Sequence, residues 1–183
     1  MTTRTSSTID ALYRVRDNAK AEIVDGELVP LSPTGGLPGL AATAIAASLR
    51  AYQRHQGGGH AFGDNVGFLI HLAHRESISP DAAWFTGPVQ GLEFLEGAPA
   101  FAAEVRSKGD YGPKAEAEMA AKRGDYFAAG TLVVWDVDLM SDEVVRAYRA
   151  DSPLAPTVYR RGAEAEAEPG VPGWRMAVDE LFE

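Results

Sequence analysis

Apolar positions change period several times along this chain of 183 residues, and each change predicts an element. Residues 8–16 wind as a short amphipathic helix behind a Ser or Thr cap, with Leu12 and Val15 turned inward. Residues 20–24 and 27–31 read as strands, and Asp25-Gly26 between them is a strong two-residue hairpin signal. Proline and glycine crowd residues 32–39, predicting a loop. The alanine-rich run 40–55 then repeats Ile45, Leu49 and Tyr52 at helical spacing until Gly57-Gly58-Gly59 stops it. Residues 66–72 form a continuous strand-like segment, and residues 87–98 a loop in which Leu92, Phe94 and Leu95 serve as anchors.

The second half is more regular. From Ala100 to Arg106 strict alternation places Phe101, Ala103 and Val105 on one face and Ala102, Glu104 and Arg106 on the other. Pro113 suits the first turn of a helix that runs to about Ala129 and ends at Gly130. Residues 131–137 are apolar on both faces until Asp136, as in a central strand covered by helices. Residues 144–150 and 157–161 follow as strands, and Glu164, Glu166 and Glu168 alternate with alanine as a strand edge or solvated hairpin would. The succession predicts an α/β fold: a mixed β-sheet flanked by the helices near Leu40 and Lys114, with an N-terminal β-hairpin, in a single domain spanning 1–183.

Composition changes this picture little. A hydrophobic fraction of 45% and a charged fraction of 23% are those of a globular chain, long enough to bury about 70% of its unfolded surface. Cysteine is absent, which excludes disulfides and thiolate metal sites. Residues 1–7 lack an apolar signal core and no run reaches the length of a membrane span, so the expectation is a cytoplasmic protein without a membrane partner. The net charge of −9 argues against a broad nonspecific grip on polyanions, which rests on lysine and arginine. No basic run interleaved with aromatics marks a base-contacting groove.

Three ionisable groups stand where a plain core would use none. Asp81 follows Pro80 at the entrance of the apolar strand 82–85, because proline can only begin a strand or take an edge. Glu104 lies inside the alternating strand, beside Arg106. Lys122 lies near the centre of the helix stripe formed by Ala115, Met119, Lys122, Tyr126 and Ala129. Inward charge is costly without a partner; Lys122 either pairs with Glu118 one turn earlier or meets Asp81 and Glu104. An Asp, a Glu and a backbone carbonyl would suffice for a hard cation such as Mg²⁺, which keeps part of its water. Bound water is a better nucleophile, and a nearby lysine or arginine can offset charge developing on a phosphate. His71 and His74, three apart on a strand-to-turn segment, share no helical face and read as one strand histidine and an exposed turn instead of ligands.

These residues resemble a known family. Pro80-Asp81 followed by Glu104-Val105-Arg106 is similar to the signature of the PD-(D/E)xK nuclease superfamily, with arginine in the third motif position. The order of Glu22-Ile23-Val24-Asp25-Gly26-Glu27-Leu28, Ser32-Pro33, Pro80-Asp81, Glu104-Val105-Arg106-Ser107, Lys122 to Tyr126, Gly130 and Trp135-Asp136-Val137-Asp138 resembles the Uma-type "putative restriction endonuclease" family over nearly the whole chain. The resemblance implies a restriction-endonuclease-like fold and metal-dependent cleavage of phosphodiesters in nucleic acid, DNA foremost. It implies Mg²⁺ or Mn²⁺ on Asp81 and Glu104, a charge-stabilising Lys122 in the migrated lysine position, and a further acidic role for Glu22. Arg106 fills the original lysine slot, where it cannot accept a proton, and its division of labour with Lys122 stays open. A double-strand cut needs two sites, so a homodimer is implied as well. Two rivals stand beside this reading: a catalytically silent interaction protein that keeps the fold, and a metal-dependent hydrolase of RNA or a small phosphodiester.

Overall fold

The computed structural model describes residues 9–15 and 20–183. The first helix, α1 (Ile9–Tyr13), buries Leu12 as expected, while Thr8 and Arg16 lie outside the described residues. Strands β1 (Ala21–Val24) and β2 (Glu27–Pro30) pair antiparallel with Val24 opposite Glu27. Asp25 and Gly26 both take positive φ, 51° and 71°. That is the two-residue turn whose twist matches the strands, and it explains why Asp-Gly stands there.

Helix α2 (Gly36–Gln56) begins earlier than the sequence suggests, inside the stretch read as a loop. Pro38 falls in its first turn, where a backbone N–H has no helical partner, so proline and glycine hide a start instead of breaking a helix. Gly57, with φ at 68°, ends it.

A six-stranded sheet follows in the order β11-β10-β9-β8-β6-β3. Its strands are β3 (His60–Phe62), β6 (Ala82–Phe85), β8 (Phe101–Val105), β9 (Val133–Val137), β10 (Val145–Arg149) and β11 (Ser152–Tyr159). Only β8 and β9 run parallel; the other neighbours are antiparallel, so the sheet is mixed. A small sheet joins β4 (Phe68–Leu69), β5 (Ser77–Ile78) and β7 (Leu95–Glu96), and β12 (Glu164–Glu166) pairs with β13 (Arg175–Ala177) before a closing 3₁₀ turn at Val178–Phe182.

The segment 66–72 is thus a strand over two residues only. Past Leu69 the chain turns back on itself: Ile70 bonds to Glu76 and Leu72 to Arg75, and His71 has φ of 51°. Burial there is confined to Phe68, Leu69 and Ile70, and His71 beyond them is exposed. Of the three predicted anchors, Leu95 is buried in β7 and Phe94 stacks on Tyr13 at 4.1 Å, but Leu92 is 97% exposed.

Each face of the six-stranded sheet has its own core. Ala82, Trp84, Phe101, Ala103, Val105, Val133, Trp135 and Val137 pack under α2, where Trp135 stacks on Trp174 at 5.0 Å. The alternate residues Ala83, Phe85, Ala102 and Val134 pack with Phe68, Ile78 and Tyr126 on the other face, beneath helix α3 (Pro113–Ala128). The period of two therefore sends Glu104, Arg106 and Asp136 toward α3, at the end of the sheet where that second core stops. Among the described residues, no helix is long and apolar enough to cross a membrane.

Candidate active site

The strand ends bring the acidic residues together. Glu104 lies opposite Asp136 in the parallel pair, and Ala103 lies opposite Ala82 in the antiparallel one. Asp81, one residue ahead of β6, therefore arrives at the same edge as the C-terminal end of β8. Its backbone N–H donates to the Ala103 carbonyl at 3.0 Å, and its Oδ2 accepts from the Val105 N–H at 2.8 Å. The β1–β2 hairpin, α3 and the loop after Val105 wall a cleft of about 660 Å³ above these strands.

Lys122 reaches into this cleft from α3. Its Nζ lies 2.9 Å from a Glu104 oxygen and 3.0 Å from Glu22 Oε1, while Glu118 pairs instead with Lys114 at 3.6 Å. The Tyr126 hydroxyl, one turn on, donates to Glu104. Burial works against the Lys122 charge, yet Glu104 and Glu22 outweigh it and hold its pKa above the ordinary lysine value. Lys122 is a permanent cation here, suited to offsetting charge and not to taking a proton. Tyr126 is raised well above the ordinary phenol value, by burial first and Glu104 next.

The two glutamates differ in what surrounds them. Glu22 is saturated: Oε1 accepts from the Ser79 N–H at 3.0 Å and from Lys122, and Oε2 accepts from Arg75 at 2.7 Å. Burial pushes its pKa up, but Lys122, Ser79 and Arg75 together carry it below the ordinary value. Arg75 is anchored in turn by Asp125 at 2.6 Å, which also meets His74 at 2.6 Å. Glu104 goes the other way. Burial raises it, Lys122 pulls it down, and the neighbouring charges of Asp81 and Glu22 push it up again, so its pKa stands above the ordinary value.

Lys20, Asp64, Arg75 and Asp125 escaped sequence reasoning, the last two as partners of Glu22 and of each other. Lys20 Nζ lies 3.0 Å from Asp81 Oδ1 and 2.6 Å from Asp64 Oδ1. A readable signal existed, because Lys20 stands two positions before Glu22 and the hairpin ladder extends through the Lys20 carbonyl to Leu31, so both side chains leave the same face. Asp64 carries no such signal: it follows Gly63 in a loop, and only the tertiary fold delivers it.

Arg106 lines the same cleft, but its charge is held by other carboxylates. Its guanidinium donates to both Asp136 oxygens, at 2.7 Å and 2.8 Å, and to Glu116. The predicted projection of Glu104 and Arg106 to one face is present, but their charges are not paired with each other. His71 meets Glu96 and His74 meets Asp125.

Asp81 and Glu104 offer hard oxygen donors on one edge of the sheet. Around them the carboxylates of Glu22, Asp64, Asp81, Glu104 and Asp125 face the permanent cations Lys20, Arg75 and Lys122. These carboxylates outnumber the lysines and arginines that they meet, and His74 is a further partner of Asp125. Among the described residues no three Asp, Glu, His or Cys side chains form a ready ligand cluster. That donor set fits Mg²⁺ or Mn²⁺ retaining several waters, and does not fit a site that needs three side-chain ligands.

Comparison with known proteins agrees with this architecture. A family profile described as "Putative restriction endonuclease", Uma2, matches residues 8–179. A crystal structure of a protein described as a putative nuclease belonging to DUF820, from Anabaena variabilis ATCC 29413, superposes with a TM-score of 0.73. It shares 16% identity, over 96% of this chain and 97% of that one. No curated protein matches.

Proposed function

The chain belongs to the Uma2 family, and on that footing we propose that its cleft hydrolyses phosphodiester bonds in nucleic acid, with DNA as substrate and Mg²⁺ or Mn²⁺ as cofactor. The observation that carries this reading is the convergence of Glu22, Asp81, Glu104 and Lys122 from four separate segments of the chain onto one cleft. Asp81 and Glu104 would hold the divalent cation, which when bound makes its water more acidic and a better nucleophile. Lys122, held between Glu22 and Glu104, would offset charge that develops on a phosphate in the transition state. Glu22 acts through Lys122, fixing the ammonium between two carboxylates. Arg106 clamps the end of β8 to β9 and α3 by way of Asp136 and Glu116.

One observation favours a second reading. Lys20 and Lys122 already satisfy the acidic pair from within the chain, as they would in a silent interaction protein that keeps the fold. Calorimetric titration with Mn²⁺ on the wild type and on Asp81→Ala, with plasmid nicking in the same buffers, separates the two. The nuclease reading expects binding and nicking in the wild type and loss of both in the variant. A folded wild type that neither binds at millimolar Mn²⁺ nor nicks would overturn it. Binding with cleavage of RNA but not DNA would keep the chemistry and change the substrate.

A further inference from the structure

Lys20 is the residue whose position the proposed reaction does not use. Its side chain is only 15% exposed, so it lies inside the cleft and not at the rim. It bridges two carboxylates of unequal standing. Asp81 is a proposed cation ligand, with a side chain 12% exposed, whereas Asp64 is 43% exposed and lies nearer the solvent. The bond to Asp64 is the shorter one, 2.6 Å against 3.0 Å. Asp81 keeps its orientation without Lys20, because its other oxygen is fixed by the Val105 N–H.

We propose that Lys20 is a resident counter-ion that occupies the cation position at Asp81 and releases it on metal loading, withdrawing onto Asp64. This rests on the metal-binding reading given above. Lys20 neutralises Asp81 while no divalent ion is bound, which lets an acid-rich cleft fold. On loading, Asp81 Oδ1 exchanges one cation for another, and the ammonium keeps a carboxylate partner throughout. Lys20 is thus a positioning residue acting through Asp81, and it sets the metal concentration at which the cleft is filled. Lys122 differs from Lys20 in that both carboxylates it meets, Glu22 and Glu104, are less exposed than Asp64.

The test is Mn²⁺ affinity by calorimetry on full-length wild type, Lys20→Met, Lys20→Arg, Asp64→Asn and Lys20→Met/Asp64→Asn, with circular dichroism confirming each fold. Lys20→Met is expected to bind more tightly than wild type, about tenfold for each 1.4 kcal/mol of competition removed, Lys20→Arg about as wild type, and Asp64→Asn more weakly. Asp64→Asn should lose most of its effect in the Lys20→Met background, because the residue it would strand is gone. Wild-type binding with equal or weaker binding by a folded Lys20→Met overturns it and leaves the metal site standing. No binding by any folded variant overturns the metal reading and this inference together.

Discussion

Two buried charge clusters share one face of the sheet, a strand apart, and they are built on opposite principles. Around Asp136 cations at least match carboxylates: Arg106 binds both its oxygens, and Arg146 and Arg123 stand 3.8 Å and 4.0 Å away. Glu116 and Glu143 answer the first two, and Arg123 lies over the Tyr148 ring at 3.7 Å. Around Asp81 and Glu104 carboxylates outnumber cations, and Glu104 is pushed toward its protonated form. Asp81 and Asp136 are both buried and hydrogen-bonded, so burial alone does not tell structure from function. Charge balance does: the first cluster is complete as it stands, whereas the second is acid-rich and invites a cation.

The comparison breaks most sharply at Asp136. Removing it leaves Arg106, 4% exposed, with its main partner gone, and breaking a buried pair in this way costs about 3–5 kcal/mol. Asp136→Ala should therefore lower the urea midpoint strongly, and the folded fraction should still bind Mn²⁺. A variant of near wild-type stability would mean that the Asp136 cluster is no clamp. Lys122→Met should do the reverse, reducing plasmid cleavage roughly 10²- to 10³-fold while Mn²⁺ binding persists. Equal cleavage by the variant would remove Lys122 from the chemistry.

The same contrast explains what could be read from the sequence. The face to which Glu104 and Arg106 point follows from a period of two, and Lys122 from a period near 3.6, because each depends only on local geometry. The hairpin was legible because Asp25-Gly26 has few alternatives. Partners are a different matter. That Arg106 turns to Asp136 and not to Glu104 depends on strand order, and Asp64 reaches Lys20 across 44 positions of chain. The start of α2 at Gly36 was masked because proline in a first helical turn and proline in a loop look alike. The short β4 was masked because apolar residues continue through Ile70 and Leu72, past the point where the chain turns back.

The smallest expected effect separates the two glutamates that Lys122 joins. Glu22 has a depressed pKa, so its contribution to stability is present above its ordinary value near 4.5 and is lost as pH falls through the folded-state value. Glu104 has a raised pKa, so its contribution is present below that same ordinary value and is lost as pH rises through the folded-state value. Glu22→Gln should therefore be less stable than wild type at neutrality, with a deficit that shrinks toward acid. Glu104→Gln should gain on wild type as pH climbs from about 4 toward about 7. Lost hydrogen bonds add a constant offset to each variant, but an offset leaves the slopes untouched, and urea midpoints across this range measure the slopes. Parallel slopes for the two variants would mean that both carboxylates feel one environment, and that the acid-rich half of the cleft is as internally balanced as the arginine cluster beside it.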